Sequence, residues 1–269
     1  MEGPIVIKVG GSLISEGAQY KILEDIKNSG IKSFVLVHGG GNEVTKMQKA
    51  LGKEPVFVTS PEGIRSRYTD LETLEIFNMV MRNIGTKIVS YLNSLGYKAI
   101  NVSGVDASFM KAERKKKLVI IDERGRKRII EGGYTGRIKE VDSGFLEKIL
   151  EMGLVPVISP IASGYEGEIL NVDGDRTASA VASALKAKKL IIFTNVDGVF
   201  LDGKVVEKLT LPEAKEALKK VGPGMDKKLI ACIEALERGV DEGIIANGKK
   251  DKPFELALNG FGTRVLKNE

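Results

Sequence analysis

Two glycine-rich turns follow short apolar runs near the start of the chain, and each could hold an anion. The stretch KVGGS at 8–12 ends the first run, and HGGGN at 38–42 ends the second. Glycine permits positive φ angles and lets backbone N–H groups approach a ligand closely. A helix that begins after such a turn adds its partial positive charge. With Lys8 entering the first turn, the pair is suited to a triphosphate and an anionic substrate. The alternative is that both are only tight strand-to-helix turns.

Length and composition are those of an ordinary globular protein. Of 269 residues, 42% are hydrophobic and 29% charged, and 41 basic residues nearly balance 36 acidic ones, which leaves a net charge of +5. So small an excess does not by itself indicate a nucleic-acid-binding protein. The single cysteine, Cys232, excludes an internal disulfide. No apolar run reaches the roughly 18 residues of a membrane span, and the opening residues resemble no secretory signal. We therefore expect a cytoplasmic protein with no membrane partner.

Short runs of β-branched residues alternate with amphipathic segments of helix length along most of the chain. This alternation predicts an α/β fold, in which a mostly parallel sheet carries helices on both faces. Both glycine-rich turns would then lie at the carboxyl edge of the sheet, where open α/β folds bind ligands. Turn-rich stretches at 118–130 and 161–170 predict two hairpins. The predicted strands are 5–9, 33–37, 98–102, 154–159, 189–194 and 240–246, and the predicted helices are 16–28, 71–95, 175–187, 225–238 and one that begins near Asn42.

Neither glycine-rich turn matches a general nucleotide-binding pattern. The chain has no G-x-x-x-x-G-K followed by Ser or Thr, and no G-x-G-x-x-G follows either strand. This excludes a P-loop enzyme and a plain dinucleotide-binding protein. Six ordered segments instead resemble the amino acid kinase family, in particular its acetylglutamate kinase branch. They extend over nearly the whole chain and read IVIKVGGSL, LVHGGGNEV, RSRYTDLETLEIF, NVDGDRTASAVASAL, LIIFTNVDGVF and GPGMDKKLIACIEALERGV.

The resemblance implies a three-layer αβα sandwich and a kinase that transfers the γ-phosphoryl group of ATP directly to a carboxylate. An N-terminal lobe at 1–170 would bind the acyl acceptor and form a dimer, and a C-terminal lobe at 171–269 would bind ATP. The chemistry is consistent with this, because phosphoryl transfer needs positioning and cations more than a protein nucleophile. A carboxylate is already ionised at pH 7, so no general base is required. We therefore expect His38, the single histidine, to be a packed residue at a strand end.

Three catalytic roles carry over from the family. Lys8 and Lys228 match its two catalytic lysines, one from each lobe, and Asp175 matches the aspartate that holds both in place. A carboxylate between two ammonium groups keeps them charged and oriented. Lys227 adjoins Lys228, and the family spacing G-M-x-x-K selects the latter. The alternative for Lys228 is a solvated helix lysine.

The resemblance also implies a set of binding residues. Gly40 and Gly41 would donate backbone N–H groups to the substrate, and Asn171 would hydrogen-bond its acyl-amino end. Arg67 would grip the side carboxylate of the substrate, a task suited to a planar bidentate donor. No protein ligand for a metal is visible, and Mg²⁺ is expected mostly on the ATP oxygens. The residues assigned to ATP are Gly10, Gly11, Thr194, Asn195, Asp197 and Gly198.

Two segments depart from ordinary acetylglutamate kinases. Those enzymes usually carry R-V-T-D where this chain has RSRYTD at 65–70, and N-V-N-A-D where it has NVDGD at 171–175. Both variants resemble the sub-branch that phosphorylates α-aminoadipate, or glutamate, while its amino group is attached to the small carrier protein LysW. The two acceptors differ by one methylene, so the sequence favours neither. The resemblance thus implies an acidic carrier protein as the partner.

A basic segment at 111–128 is consistent with such a partner. It holds nine basic residues and three acidic ones, and a basic rim would steer an acidic protein electrostatically. The alternative is a solvated hairpin whose lysines discourage edge pairing. Nucleic-acid binding has no interleaved aromatic residues to support it. The residues assigned to carrier docking are Lys111, Arg114, Lys115, Lys116, Lys117, Arg126, Lys127 and Arg128.

Assembly and regulation can also be predicted. An apolar stripe on the helix at 71–95 is core by default, but the corresponding helix forms a homodimer in relatives, so we expect a dimer. The first strand begins almost at the N-terminus, whereas arginine-inhibited relatives carry an extra helix there, so we expect no such feedback. The stripe consists of Ile76, Phe77, Val80, Ile84, Ile88 and Leu92.

Other functions stay open at this point. Within the family the rivals are acetylglutamate, carbamate, uridylate and aspartate kinases, and Arg67 and Asn171 favour an acyl amino acid over a nucleobase. A nucleotide sensor without turnover is the rival from another class. Such a protein would not need Lys8, Asp175 and Lys228 together.

Overall fold

Strands and helices alternate in the computed structural model, which describes residues 3–268. The strands are β1 (Ile5–Val9), β2 (Phe34–His38), β3 (Phe57–Thr59), β4 (Arg65–Arg67), β5 (Ala99–Ser103), β6 (Met110–Arg114), β7 (Lys117–Ile121), β8 (Lys127–Glu131), β9 (Gly136–Val141), β10 (Val155–Ser159), β11 (Ile161–Gly164), β12 (Ile169–Asn171), β13 (Lys189–Thr194), β14 (Phe200–Leu201), β15 (Lys204–Val205), β16 (Lys208–Thr210), β17 (Glu242–Asn247) and β18 (Thr263–Leu266). The helices are α1 (Gly11–Ser15), α2 (Ala18–Asn28), α3 (Gly41–Ala50), α4 (Leu71–Ser94), α5 (Ser143–Glu151), α6 (Gly174–Ala184), α7 (Leu211–Ala217), α8 (Met225–Glu237) and α9 (Pro253–Leu258).

The central sheet has eight strands in the order β16-β18-β17-β13-β1-β2-β10-β5. All of its neighbouring pairs are parallel except β17 with β18. β2 is buried along its whole length, as expected of a parallel strand covered on both faces. The predicted mostly parallel α/β sheet is therefore confirmed.

Two hydrophobic cores lie on opposite faces of this sheet. Val6 and Val35 pack on one face with apolar residues of α5, α6 and α8. Ile7 and Leu36 pack on the other face with apolar residues of α2, α3 and α4. Successive side chains of a strand point to opposite faces, so β1 and β2 each contribute side chains to both cores. The result is the predicted three-layer αβα sandwich.

Smaller sheets lie beside the central one. A four-stranded sheet has the order β12-β11-β6-β9, and two-stranded sheets join β3 with β4, β7 with β8 and β14 with β15. The hairpins predicted at 118–130 and 161–170 are present as β7–β8 and β11–β12. The pair β3–β4 was not predicted, because three-residue strands carry too little periodicity to detect.

The helix predicted at 16–28 is present as α2, and a short helix that was not predicted, α1, precedes it directly after the first glycine-rich turn. Gly17, with a φ of 77°, separates the two helices. The long helix predicted at 71–95 is confirmed as α4, and Asp70 caps it by accepting from the backbone N–H of Thr73 at 2.8 Å. Within the described residues no helix is both long and apolar enough to cross a membrane.

The apolar stripe on α4 is part of the core of the single chain. Its six members are at most 6% exposed and pack against the second core. They are therefore not available to a second copy, and any dimer that uses α4 must use the outward residues of the helix, such as Met79 at 57% exposure. The dimer stays a prediction. The division near Leu170 also stays a prediction, since β1 pairs directly with both β2 and β13 and the sheet is continuous across it.

Candidate active site

Lys8 lies at the carboxyl end of β1, on the sheet face that α6 covers. Val6, two residues earlier, points to the same face and packs against α6. The Lys8 side chain is only 6% exposed, and its Nζ is 2.6 Å from Oδ1 of Asp175. A lysine so deeply buried requires such a partner, because an isolated buried charge is costly.

Asp175 belongs to the first turn of α6. Asp173 caps this helix, and its carboxylate accepts from the backbone N–H groups of Asp175 and Arg176, each at 3.0 Å. Oδ2 of Asp175 is 3.5 Å from Nζ of Lys228. One buried carboxylate thus lies between two ammonium groups that come from β1 and α8.

The structure distinguishes Lys228 from its neighbour Lys227. Lys228 faces Asp175, is 15% exposed, and donates a hydrogen bond to the carbonyl oxygen of Gly224 at 3.0 Å. Lys227 points elsewhere and lies 3.6 Å from Asp173. The geometry therefore agrees with the selection of Lys228 from the motif spacing.

Burial and charge act in opposite directions on these groups. Burial alone would raise the pKa of Asp175, but Lys8 and Lys228 outweigh it and hold that pKa below its usual value. Burial lowers the pKa of Lys228 more than Asp175 raises it, and Lys8 lowers it further. The site therefore keeps its carboxylate ionised, while Lys228 loses its proton more readily than an ordinary lysine.

The two glycine-rich turns are in direct contact. The backbone N–H of Gly39 donates to the carbonyl oxygen of Val9 at 2.8 Å. A Cβ added to Gly11 would lie 3.0 Å from the backbone nitrogen of Gly40 and 3.1 Å from that of Gly41. A side chain at Gly11 would therefore crowd these two N–H donors, and glycine favours the close approach.

The N-terminus of α6 faces the two glycine-rich turns. A Cβ on Gly174 would be 3.7 Å from Cε of Lys8 and 3.8 Å from the carbonyl oxygen of His38. The partial positive charge of this helix therefore adds to that of Lys8 and of the α3 N-terminus at Gly41. The turns, two helix ends and two lysines lie together at the carboxyl edge of the sheet, an arrangement suited to an anion.

Arg67 lies beside the start of α3. Its Nη2 donates to the carbonyl oxygen of Gly41 at 2.8 Å and to Oγ1 of Thr45 at 2.7 Å, and Nη1 donates to Gln48. Its guanidinium also stacks on the ring of Phe57. These contacts use three of the five N–H donors and fix the orientation of the guanidinium plane. Arg67 is thereby held next to Gly41, the second predicted substrate-binding glycine.

Asn171 lies at the end of β12, opposite the segment that follows Arg67. Its Nδ2 donates to Oγ1 of Thr69 at 2.9 Å. Backbone hydrogen bonds from Tyr134 to Thr69 and from Asn171 to Tyr134, at 2.7 and 2.9 Å, join three separate parts of the chain here. Tyr134 and Thr69 were not predicted from the sequence, because no local pattern marks a contact between distant loops.

The predicted ATP residues fall into two groups. Gly10 and Gly11 belong to the first glycine-rich turn, near the lysines. The others begin at Thr194, the last residue of β13, and continue into the loop that follows. In this loop Oδ1 of Asp197 accepts from Asn247 at 2.8 Å and lies 3.3 Å from Nζ of Lys250. Thr263 holds the loop in place, since its Oγ1 accepts from the N–H of Val199 at 2.8 Å. The residues of this group predicted for ATP are Thr194, Asn195, Asp197 and Gly198.

A cavity of about 510 Å³ opens beside this loop. Asp197 and Asn247 line one side, and residues of α9 and the segment after it line the other, including Leu256 and Phe261. An apolar pocket with a few convergent polar groups suits the flat base of a nucleotide. The sequence did not indicate α9 as part of the site, because its six residues show no distinctive motif.

His38 is a structural residue. It is fully buried, its Nδ1 donates to the carbonyl oxygen of Gly39 at 2.9 Å, and its Nε2 accepts from the hydroxyl of Ser159 at 3.0 Å. Burial lowers its pKa to about 4, so the ring is neutral near pH 7. The prediction of a packed strand-end histidine is confirmed.

The eight basic residues assigned to carrier docking have different surroundings, and their role in docking stays a prediction. Arg114 stacks on Tyr134 and Lys116 pairs with Glu166 at 2.6 Å. Arg126 and Arg128 both pair with Asp122. Lys111 lies near Tyr165, Lys115 lines a separate cavity beside α6, and Lys117 and Lys127 lie on the exposed hairpin β7–β8.

A parallel sheet whose carboxyl edge carries a Lys–Asp–Lys group beside anion-binding turns is the arrangement of an ATP-dependent phosphotransferase. The sequence model of the amino acid kinase family matches residues 3–247, and the chain belongs to this family. It is 51% identical over 262 residues to the LysW-aminoadipate/LysW-glutamate kinase of Saccharolobus solfataricus. The match covers 97% of this chain and 98% of that protein.

Solved structures show the same fold. N-acetylglutamate synthase from Neisseria gonorrhoeae superposes with a TM-score of 0.82 at 24% identity, over 99% of this chain and 60% of that one. Carbamate kinase from Giardia lamblia superposes with a TM-score of 0.69 at 17% identity, over 98% of both chains. At these identities the likeness concerns the fold alone.

Proposed function

We propose that this chain uses ATP to phosphorylate the side-chain carboxylate of α-aminoadipate whose amino group is linked to the carrier protein LysW. The product is an acyl phosphate for lysine biosynthesis, and use of carrier-linked glutamate would extend the role to arginine biosynthesis. The observation that carries the proposal is the buried Asp175 between Lys8 and Lys228, at 2.6 and 3.5 Å. The relative from S. solfataricus is named for the same reaction.

The mechanism is a direct displacement at phosphorus. A carboxylate oxygen of the acceptor forms a bond to the γ-phosphorus while the bond from that phosphorus to the β,γ-bridging oxygen breaks, and ADP leaves with the electron pair. Lys8 and Lys228 neutralise charge on the transferring group, and Asp175 keeps them apart and oriented. Because the lysines are held before the substrate binds, little reorganisation is needed at the moment of transfer.

Arg67 and Asn171 position the acceptor. We assign to Arg67 the carboxylate that does not react, rather than the side carboxylate that the resemblance implies, since a guanidinium clamped on the attacking oxygens would withdraw the electron pair that must reach phosphorus. Its position beside Gly41 and Thr45 places it on the α3 side of the site. Asn171, across the site, binds the amide through which the amino group is linked to its carrier, and Gly40 and Gly41 donate N–H groups to the reacting carboxylate.

ATP extends from the lysines to the cavity beside α9. Its base occupies the pocket next to Asp197 and Phe261, and its phosphates reach Gly10 and Gly11. Both oxygens of Asp175 face lysines, so this carboxylate is poorly placed to bind a metal as well. The phosphate oxygens of ATP would therefore hold most of any bound Mg²⁺, which would supply further charge neutralisation.

The hairpin β7–β8 contributes to carrier docking. Val119 and Ile129 face each other across it and are 46% and 70% exposed, and Lys117, Lys127 and Glu131 flank them on the same face. An apolar centre beside two lysines is suited to a partner that combines apolar and acidic residues.

Two further parts of the proposal concern the cell and the assembly. The enzyme acts in the cytoplasm, in keeping with a single, buried cysteine. It forms a homodimer through the outward side of α4, where Leu71 and Met79 are more than half exposed.

A hydroxylamine trapping assay tests the proposed function. Hydroxylamine displaces the phosphate of an acyl phosphate and forms a hydroxamate, which gives a coloured complex with added ferric ion. Carrier-linked aminoadipate, carrier-linked glutamate and free acetylglutamate can therefore be compared directly. We expect ATP-dependent hydroxamate from at least one carrier-linked substrate and much less from acetylglutamate. Efficient use of acetylglutamate alone would make the chain an acetylglutamate kinase, and no product from any acceptor would favour a nucleotide-binding protein without turnover.

A further inference from the structure

Gln48 is a buried amide on α3 that contacts two other parts of the candidate site. Its side chain is fully buried. The Oε1 atom accepts a hydrogen bond from Nη1 of Arg67, and the Nε2 atom donates to Oγ1 of Thr73 at 3.1 Å. Because an arginine side chain can only donate, the contact with Arg67 determines which end of the amide faces the guanidinium.

The other end of Gln48 is held by α4. Thr73 is buried in the first turn of that helix, and its backbone N–H donates to Oδ1 of Asp70, the cap of α4, at 2.8 Å. The main chain of Gln48 is held as well, because its carbonyl oxygen accepts from the N–H of Lys53 at 2.8 Å. The amide therefore has little freedom to turn, and the orientation of Arg67 depends on α3 and α4 through it.

The hydrogen-bond acceptors that surround Arg67 are all neutral. They are the amide of Gln48, the carbonyl oxygen of Gly41 and the hydroxyl of Thr45. Among the described residues 3–268, Arg67 has no salt-bridge partner. The three contacts thus orient the guanidinium and leave it with its whole positive charge.

Two acidic residues on the same helices are paired with lysines. Oε1 of Glu43 on α3 lies 2.7 Å from Nζ of Lys46, and Oδ2 of Asp70 at the start of α4 lies 2.9 Å from Nζ of Lys53. Because both carboxylates have other cationic partners, neither compensates the charge of Arg67.

A second guanidinium lies close to Arg67. The centroid of the Phe57 ring is 4.3 Å from Cζ of Arg65 and 4.8 Å from Cζ of Arg67. Burial also lowers the pKa of Arg67, so its protein surroundings disfavour the charged form. A bound carboxylate would offset both effects, because it would supply an opposite charge beside the two cations.

From these contacts we propose that Gln48 is a positioning residue of the acceptor site, which orients the Arg67 guanidinium and leaves its full charge to the carboxylate of the acceptor that does not react. This inference rests on the proposed function, in which Arg67 binds that carboxylate. A carboxylate in place of the amide could accept the same hydrogen bond, but it would form an ion pair with Arg67 and repel the acceptor. An apolar side chain would keep the charge of Arg67 available but lose its alignment.

The test compares variants of similar shape. Gln48→Glu adds a carboxylate beside Arg67, whereas Gln48→Met removes the hydrogen bonds and adds no charge. The matched control is Gln19→Glu, the same change at the other glutamine of the chain, which is buried on α2. The hydroxamate assay with carrier-linked aminoadipate gives kcat, KM for the acceptor and KM for ATP, and thermal unfolding gives the melting temperature.

We expect Gln48→Glu to raise KM for the acceptor about tenfold or more, because like charges would meet at Arg67. Gln48→Met should raise it about three- to tenfold, as expected for the loss of one hydrogen bond. KM for ATP should stay within about twofold of wild type in both, and Gln19→Glu should keep the wild-type kinetic constants. An acceptor KM for Gln48→Glu that equals that of Gln19→Glu would overturn the inference.

A second acceptor separates this role from a purely structural one. In it the carboxylate that does not react is converted to an amide, while the reacting carboxylate and the link to the carrier are kept. Gln48→Glu should then change kcat/KM less than about twofold, because the acceptor no longer carries the charge that the new carboxylate repels. An equal loss of kcat/KM with both acceptors, or an equal rise in KM for ATP, would give Gln48 a structural role and overturn the inference.

Failure of the proposed function would give a different result. The wild-type enzyme would then form no hydroxamate from the loaded carrier, and the inference would fall with the proposed function. Failure of the inference alone leaves wild-type turnover intact and removes only the difference between Gln48→Glu and Gln19→Glu.

Discussion

Replacing Lys8 by methionine removes one charge from the centre of the proposed site and little else. The two side chains have similar length, and Lys8 is 6% exposed with its Nζ 2.6 Å from Asp175. Methionine can fill the space of the lysine stem, because it is flexible and adapts to irregular cavities. Asp175 would then keep a single cation, Lys228, at 3.5 Å.

The expected loss of turnover is large. Removing one preorganised group that stabilises transition-state charge typically costs about 10²–10³ in kcat, or roughly 2.7–4 kcal/mol. Stability should fall too, since removing one partner of a buried ion pair costs about 3–5 kcal/mol when the other is left alone. Lys228 still faces Asp175, so we expect about 3 kcal/mol or less. ATP should still bind, because the pocket beside α9 is unchanged.

Three measurements separate these effects. The hydroxamate assay gives kcat, calorimetric titration gives ATP affinity, and thermal unfolding gives stability, with Lys32→Met as the surface control. The double variant Lys8→Met with Asp175→Asn should regain neither stability nor activity, because it leaves the buried ammonium of Lys228 without its carboxylate partner. A kcat for Lys8→Met within threefold of wild type would refute the reasoning, as would activity restored along with stability in the double variant.

Three further outcomes are expected. Because burial lowers the pKa of Lys228 and the mechanism needs its charged form, kcat should decline as pH rises, at a pH below the value of about 10.4 for an ordinary lysine; a kcat that stays constant to that pH would contradict the role of this cation. Arg67→Lys should raise KM for the acceptor roughly tenfold with KM for ATP unchanged, since lysine lacks the planar bidentate fork; equal values for both enzymes would argue against a carboxylate at Arg67. Phe261→Ala should raise KM for ATP about two- to tenfold through loss of an aromatic contact, with KM for the acceptor unchanged. A raised KM for the acceptor with an unchanged KM for ATP would contradict the placement of the ATP base in this pocket.

The fold could be predicted largely from the sequence, because its main strands are local and strongly apolar. The strand predicted at 189–194 coincides with β13, and the predicted strand at 5–9 coincides with β1. The short strands β14 and β15 and the six-residue helix α9 could not be predicted. Two to six residues hold too little periodic signal, and their conformation depends on the elements they contact.

The candidate site, like the fold, could be predicted from the sequence only in part. Lys8 and Asp175 could be named from the sequence, because the segments that contain them resemble those of the amino acid kinase family. Their ion pair could not be deduced from local pattern, because it joins residues 167 positions apart in the sequence, from 8 to 175. It exists because β1 and α6 pack on each other, with Val6 and Lys8 on the same face of the strand.

The amino-acid sequence by itself determined the class of fold, the family segments, the anion-binding turns and the types of residue that could transfer a phosphoryl group. Tertiary structure decided which of the basic residues act together. Lys115 lies within a run of three lysines at 115–117, yet it shares a cavity with Arg137 and Arg238, whereas Lys116 pairs with Glu166. The reason is physical: charge is a property of the residue, but electrostatic potential depends on the distances and the burial that only the folded chain establishes.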